Sequence, residues 1–216
     1  MVQTNLQASL KQNPDKVSDQ GLKSPLLPML FDGFLNEPEV AEQTHRLKIL
    51  DVGPALPETV KFFGQFRCRL YFADLFEEQL LRTDILLNEE PDENTYATFR
   101  TYPRDEQFDI CLFGDFLNFL DQKALQAFNL AIQPFIHRGT RAHAFGMQNK
   151  AKSLSNITYG IQDYDVLSER LRPDLALENY SHSLDDLKKL LPCFNIARSR
   201  LLIDGRLEIL LTTHGV

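Results

Sequence analysis

The sequence predicts an α/β domain: a mostly parallel sheet, covered by helices on both faces and closed by a C-terminal antiparallel hairpin. Two observations carry this. From residue 46 onward, apolar strand-like runs alternate with helix-like segments, the pattern of a parallel sheet whose crossovers lie on its faces. Two final apolar runs in "FNIARSRLLIDGRLEILLTTH" are joined by Asp204-Gly205, a strong short-range hairpin signal, so the last pair is antiparallel.

Residues 1–24, rich in Gln, Asn, Lys and Ser and without periodicity, read as a mobile N-terminal arm, and 25–216 as a single domain. "SPLLPMLFDGFLNEPEVAEQTHR" mixes apolar side chains with Pro25, Pro28 and Pro38, which suits short helical turns laid across a domain edge as a lid or a packing strap. "RLKILDV" is the first strand, 57–66 a helix and "CRLYFADL" the second strand. "FEEQLLRTDILL" reads as a helix and "TYATFRTYP" as a third strand; "LNEEPDENTY" between them is an acidic loop. "FDICLFGDF" is the fourth strand, "DQKALQAFNLAIQPFI" a helix with apolar positions at helical spacing, and "RAHAFGM" the fifth strand. Residues 148–182 break the alternation and read as an insertion that could cap the substrate side. "SLDDLKKLLPCF" is a short helix with Ser183 as N-cap and Asp186 three residues on, a variant of the capping box.

Composition bounds the function. The 216 residues, 43% apolar and 25% charged, suit one well-buried soluble domain. A net charge of −7 argues against a nucleic-acid partner. Cys68, Cys111 and Cys193 are widely spaced with no CxxC, so neither a disulfide framework nor a zinc site is indicated, and no metal is expected. No apolar run reaches the roughly 18 residues of a membrane span, and no signal-like segment is evident, so a cytoplasmic protein without a membrane partner is expected. GxSxG, HExxH and P-loop signatures are absent. Nothing fixes an oligomeric state.

In an open α/β sheet the ligand lies outside the carboxyl ends of the strands, where strand order reverses. Gly53 follows the first strand and permits a sharp turn and a close approach to a ligand. Asp74 follows the second strand, twenty-one residues after Gly53, near the spacing at which a carboxylate accepts from ribose hydroxyls. Pro54 and Pro57 remove backbone donors, which disfavours a phosphate-bearing dinucleotide; Pro57 also suits the first turn of a helix. Asp51 and Asp74 could instead be polar strand terminators, and Asp115 could cap the following helix. His45, His137, His143, His182 and His214 are scattered without metal-ligand spacing. His143, on the fifth strand, is a candidate base or substrate contact. Tyr159, Tyr164 and Tyr180 could line a substrate pocket or pack.

These motifs in this order, "LKILDVGPA", "LYFADL", "FDICLFGDFLNFL" and "RSRLLIDGRLEILL", resemble the class I S-adenosylmethionine-dependent methyltransferases over about residues 46–214. The resemblance implies a Rossmann-like class I methyltransferase fold and S-adenosylmethionine as cofactor. It implies Asp51, Gly53, Pro54, Ala55, Asp74, Leu75, Gly114, Asp115 and Phe116 as cofactor-binding residues, Asp74 at the ribose and Asp51 near the methionine ammonium. Asn118, His143 and Tyr159 are the candidate substrate contacts. The implied reaction is methyl transfer to a small molecule or a protein, with no catalytic residue designated. The alternative is a non-catalytic binding or assembly module on the same fold, which the proline-filled first loop favours; a nucleotide-dependent oxidoreductase is disfavoured.

Overall fold

The computed structural model describes residues 21–35, 46–77, 95–147, 157–172 and 177–213. In chain order its strands are β1 (Leu22–Lys23), β2 (Leu47–Asp51), β3 (Cys68–Phe72), β4 (Phe108–Gly114), β5 (Ile136–Met147), β6 (Ile157–Asp163), β7 (Val166–Leu171), β8 (Phe194–Leu201) and β9 (Arg206–Thr213). Its helices are α1 (Leu27–Phe31), α2 (Pro57–Phe63), α3 (Gln122–Ile132) and α4 (Leu184–Leu190). Six strands form the main sheet in the order 3-2-4-5-9-8. Strands β2 to β5 run parallel, and β9 runs antiparallel to both β5 and β8. The alternation and the terminal Asp-Gly turn predict this mostly parallel sheet closed by an antiparallel pair, and its topology is the Rossmann-like one that the resemblance implies.

Side chains alternate between the two faces along each strand. Ile49, Ile110, Leu112, Phe145 and Leu210 join α1 and α2 in one core layer. Leu50, Cys111, Phe113, Ala142, Ala144, Ile209 and Leu211 join α3 and α4 in the other. Central strands covered on both sides therefore read as continuous apolar runs, as in β4, where six of seven residues are buried. Phe128 on α3 anchors the second layer, with the rings of Phe113, Phe116 and Tyr96 packed edge-on at 5.3, 5.4 and 5.7 Å.

Local chemistry sets the element ends. Pro57 occupies the first turn of α2, where its missing N–H is unneeded. Asp121 caps α3, accepting the N–H of Ala124 at 2.8 Å, so Asp115 is not that cap. Ser183 and Asp186 form a complete capping box on α4. Gly205 turns the final hairpin at φ 90°.

Three expectations are corrected. "TYATFRTYP" is no strand: Ala97–Thr101 is a 3₁₀ helix, which puts Phe99, together with the preceding Tyr96, in the core. The helix expected over 57–66 ends at Phe63. Within the 148–182 insertion, β6 and β7 form an antiparallel hairpin, and β1 adds to its edge as a second sheet in the order 1-7-6. Residues 21–24, expected in the arm, thus belong to ordered structure. The helix expected over 76–87 beyond its first two residues, most of the acidic loop, His45, His214 and residues 1–20 lie outside the described residues.

The small sheet packs on α2. Arg170 donates to both carboxylate oxygens of Glu58 at 3.1 and 2.8 Å, and the hydroxyl of Ser168 donates to the same carboxylate. The N–H of Ile161 donates to Thr59 Oγ1 at 3.0 Å.

Candidate functional site

Strand order reverses at β2, whose neighbours β3 and β4 lie on opposite sides, so a crevice opens at the carboxyl ends of β2 and β4. Asp51 closes β2, and its Oδ1 accepts the N–H of Gly53 at 2.8 Å, fixing the turn. Gly53 does not take a left-handed conformation. Space explains it instead: a Cβ there would stand 3.2 Å from Asp51 Oδ1 and 3.6 Å from Arg172 Nη2.

The turn after β3 lies directly alongside. The N–H of Asp74 donates to Gly53 O at 3.3 Å and that of Leu75 to Val52 O at 2.9 Å. Asp74 is the one non-glycine residue with positive φ among those described, at 43°. Such a conformation costs about 1–2 kcal/mol, although aspartate tolerates it better than most residues.

After β4, Gly114 at φ 54° turns the chain into Asp115. Asp115 is 1% exposed, and neither of its carboxylate oxygens has a hydrogen bond of normal geometry among the described residues. Asn118 donates through Nδ2 to Phe145 O at 2.7 Å and Asp115 O at 3.1 Å, which pins the loop to β5 and uses the amide structurally.

One cavity gathers Asp51, Gly53, Gly114, Asp115, His143 and Tyr159, joined by Phe76, Phe145 and Arg172. Of the other candidate residues, Leu75 and Phe116 are buried in the core, Pro54 is half-buried, and Ala55 is exposed. Asp74 flanks the cavity without lining it. Tyr164 packs on Phe31, and Tyr180 bonds through its N–H to Asn118 O at 2.6 Å.

Sequence reading missed Phe76, Arg172 and Glu208. Phe76 lies two residues after Asp74, a position readable from the second strand's end. Arg172 carries no spacing signal. Glu208 sits amid the apolar run of β9 and is fully buried. Its Oε1 meets His143 Nε2 at 3.0 Å and accepts from the Ser24 hydroxyl and from the Leu26 N–H at 3.2 Å.

Burial pushes the Asp51 carboxyl up to about 7, opposed by the Gly53 N–H and the Arg172 charge and reinforced by Asp74. Burial also pushes Asp115 up to about 7, opposed by Arg172 and by the nearby N–H of Ile157. The Tyr159 phenol is raised by burial and by Asp115. Burial thus drives the two carboxyls toward the neutral form, and the Arg172 charge drives them toward the ionised one.

This chemistry fits an organic cation without phosphate, since Pro54 supplies no N–H and the carboxylates would repel an anion. Volume does not fit: with the hairpin docked, the cavity measures about 30 Å³. That holds about one water, whereas ligand sites span roughly 300–1,000 Å³. Among the described residues no group of three His, Cys, Asp or Glu side chains is placed to hold a metal, and no helix is long and apolar enough to cross a membrane.

No family model matches the chain, and no curated protein sequence matches it. Solved structures do. The chain is similar to the pyocyanin biosynthetic protein PhzM at 13% identity and TM-score 0.42, over 80% of this chain and 52% of that one, so it spans about half that protein's length. It is similar to the glycopeptide N-methyltransferase MtfA complexed with S-adenosyl-L-methionine, at 9% identity and TM-score 0.43, over 80% and 90% of the two chains. It is likewise similar to an S-adenosylmethionine-dependent methyltransferase from Clostridium acetobutylicum, at 14% identity and TM-score 0.43, over 79% and 85%. Ligand and reaction rest on this chain's own residues.

Proposed function

We propose that the chain binds S-adenosylmethionine at the carboxyl edge of β2, β3 and β4 and serves methyl transfer to a small-molecule or protein acceptor. The observation that carries this is the convergence of Asp51, Asp74 and Asp115 around the Gly53 turn, an acidic, phosphate-averse floor at the strand-order reversal. When bound, S-adenosylmethionine supplies a methyl group activated by a positive sulfonium. Asp74 would hold the ribose hydroxyls, and Asp51 and Asp115 would offset the ligand's positive charge. His143, which meets Glu208 at the cavity wall, would orient an acceptor. Positioning alone accounts for much of the rate of such a displacement, so no general acid or base is required of the protein.

Binding requires the β6–β7 hairpin to be displaced, because Tyr159 and Arg172 stand where the ligand would lie. That same observation supports a second reading, a non-catalytic binding or assembly module whose site is permanently filled. Calorimetric titration with S-adenosylmethionine and with its demethylated product separates the two. Saturable heat with a dissociation constant below about 1 mM supports the first; no heat and no thermal shift at millimolar ligand supports the second.

A further inference from the structure

The hairpin delivers a cation into the acidic end of the cavity. Arg172 follows β7, and its Nε donates to Thr158 Oγ1 on the neighbouring strand, which aims the side chain. Its guanidinium carbon lies 3.6 Å from the centre of the Phe76 ring, a cation–π contact. Its Nη2 reaches the Gly53 turn, and its charge acts on both Asp51 and Asp115. From the same hairpin, Tyr159 covers the other wall: its Cδ2 lies 3.1 Å from where a Cβ on Gly114 would stand.

We infer that Asp51, Asp115 and Phe76 form a subsite for an organic cation, that Arg172 is its resident occupant, and that the docked hairpin thereby holds the site shut. The physical argument is compensation. Burial drives both carboxyls toward the neutral form and the single guanidinium drives them toward the ionised one, so an ionised carboxylate here needs a cation beside it, and loss of Arg172 leaves the site to a proton or to another cation. An incoming cation reaches the same carboxylates and the same aromatic face only where Arg172 has left. Apparent affinity is then reduced by the fraction of molecules whose hairpin is open. Glu58 with Arg170 and Ser168, and Arg206 with Glu169 and Tyr159, hold the hairpin independently of Arg172, so loss of Arg172 vacates the subsite without dismantling the small sheet. The identity of the incoming cation as S-adenosylmethionine rests on the function proposed above; occupancy of the subsite by Arg172 does not.

The test uses the full chain and its Arg172→Ala variant with three probes: methylguanidinium, S-adenosylmethionine and the uncharged-sulfur product. Loss of Arg172 is expected to lower Tm, and millimolar methylguanidinium to restore about 3 °C or more to the variant while leaving the wild type unmoved. S-adenosylmethionine is expected to bind the variant at least tenfold more tightly than the wild type, with a smaller gain for the product. Methylguanidinium rescue without any response to S-adenosylmethionine upholds the resident cation and removes the cofactor reading. Equal S-adenosylmethionine affinity in both proteins, with no rescue, overturns the resident cation and leaves the cofactor reading standing. Should Arg172→Ala not fold, Arg172→Gln carries the same comparisons, and absence of both rescue and affinity gain there overturns the inference.

Discussion

His143 on β5 and Glu208 on β9 meet at 3.0 Å between Nε2 and Oε1, both side chains almost fully buried, so the wall of the cavity is fixed by a hydrogen-bonded pair inside the sheet's central strands. The same Glu208 oxygen accepts from the Ser24 hydroxyl and the Leu26 N–H, which ties the segment leading into α1 to the sheet. Three donors converge there, and they hold Glu208 below the ordinary carboxylate range despite its burial. Removing the acceptor strands all of them. Glu208→Ala is expected to cost about 3–5 kcal/mol, and Ser24→Ala about 1 kcal/mol; urea denaturation of the two variants measures the difference.

Substitutions at Asp74 are expected to separate stability from ligand affinity. Its left-handed backbone is tolerated by glycine and asparagine and resisted by β-branched residues. Asp74→Val is expected to destabilise the fold by about 1–2 kcal/mol. Asp74→Asn is expected to leave Tm within roughly 2 °C of wild type while weakening S-adenosylmethionine at least tenfold, since it keeps the shape and loses the charged acceptor. Thermal scans and titrations on both variants check this.

Stability is expected to rise on mild acidification. Asp115 and Asp51 are raised by burial to about 7 in the folded chain, against about 3.9 for an unfolded aspartate. The folded state therefore binds the proton more tightly, and the stabilisation is full below the unfolded value and lost as pH climbs through the folded one. Glu58, Glu106 and Glu208 are held low and act only at more acid pH. Between pH 8 and pH 5 one raised aspartate contributes about 2 kcal/mol, roughly 4–8 °C in Tm. Asp115→Asn is expected to raise Tm at pH 8 and flatten the profile, as read by thermal unfolding across that range.

Gly160 governs docking of the hairpin. A Cβ there would stand 2.6 Å from both Glu58 Cγ and Ser168 Oγ, atoms of the cluster that binds β6 and β7 to α2. Gly160→Val is expected to loosen the hairpin and leave the main sheet folded. Limited proteolysis should then cleave the variant in the hairpin at least tenfold faster than the wild type, with far-UV circular dichroism little changed.

Much of this architecture was legible because its determinants are local. The apolar runs of β2, β4 and β5, the Asp204-Gly205 turn and the Ser183–Asp186 capping box each specify their element within a few residues. The Asp51, Gly53 and Asp115 loops followed from where parallel strands must end. The hairpin was not legible, because Ile161, Ser168 and Arg170 dock through polar bonds to Thr59 and Glu58 of α2, which leave no spacing signal in the sequence. The 3₁₀ helix has the β-rich composition of a strand, and its only local signal is the recurrence of Tyr96, Phe99 and Tyr102 at every third residue, the period of that helix. Arg172 carries no sequence signal, because the fold brings a distant hairpin over Phe76, a relation without a sequence spacing.

The account's central claim is that a cationic cofactor binds the Gly53 turn by displacing the hairpin, and hydrogen exchange with and without saturating S-adenosylmethionine tests it most directly. The account predicts slower exchange at residues 51–53 and 74–76 together with faster exchange across 157–172. Unchanged exchange at both segments, or slower exchange across the hairpin, would contradict it.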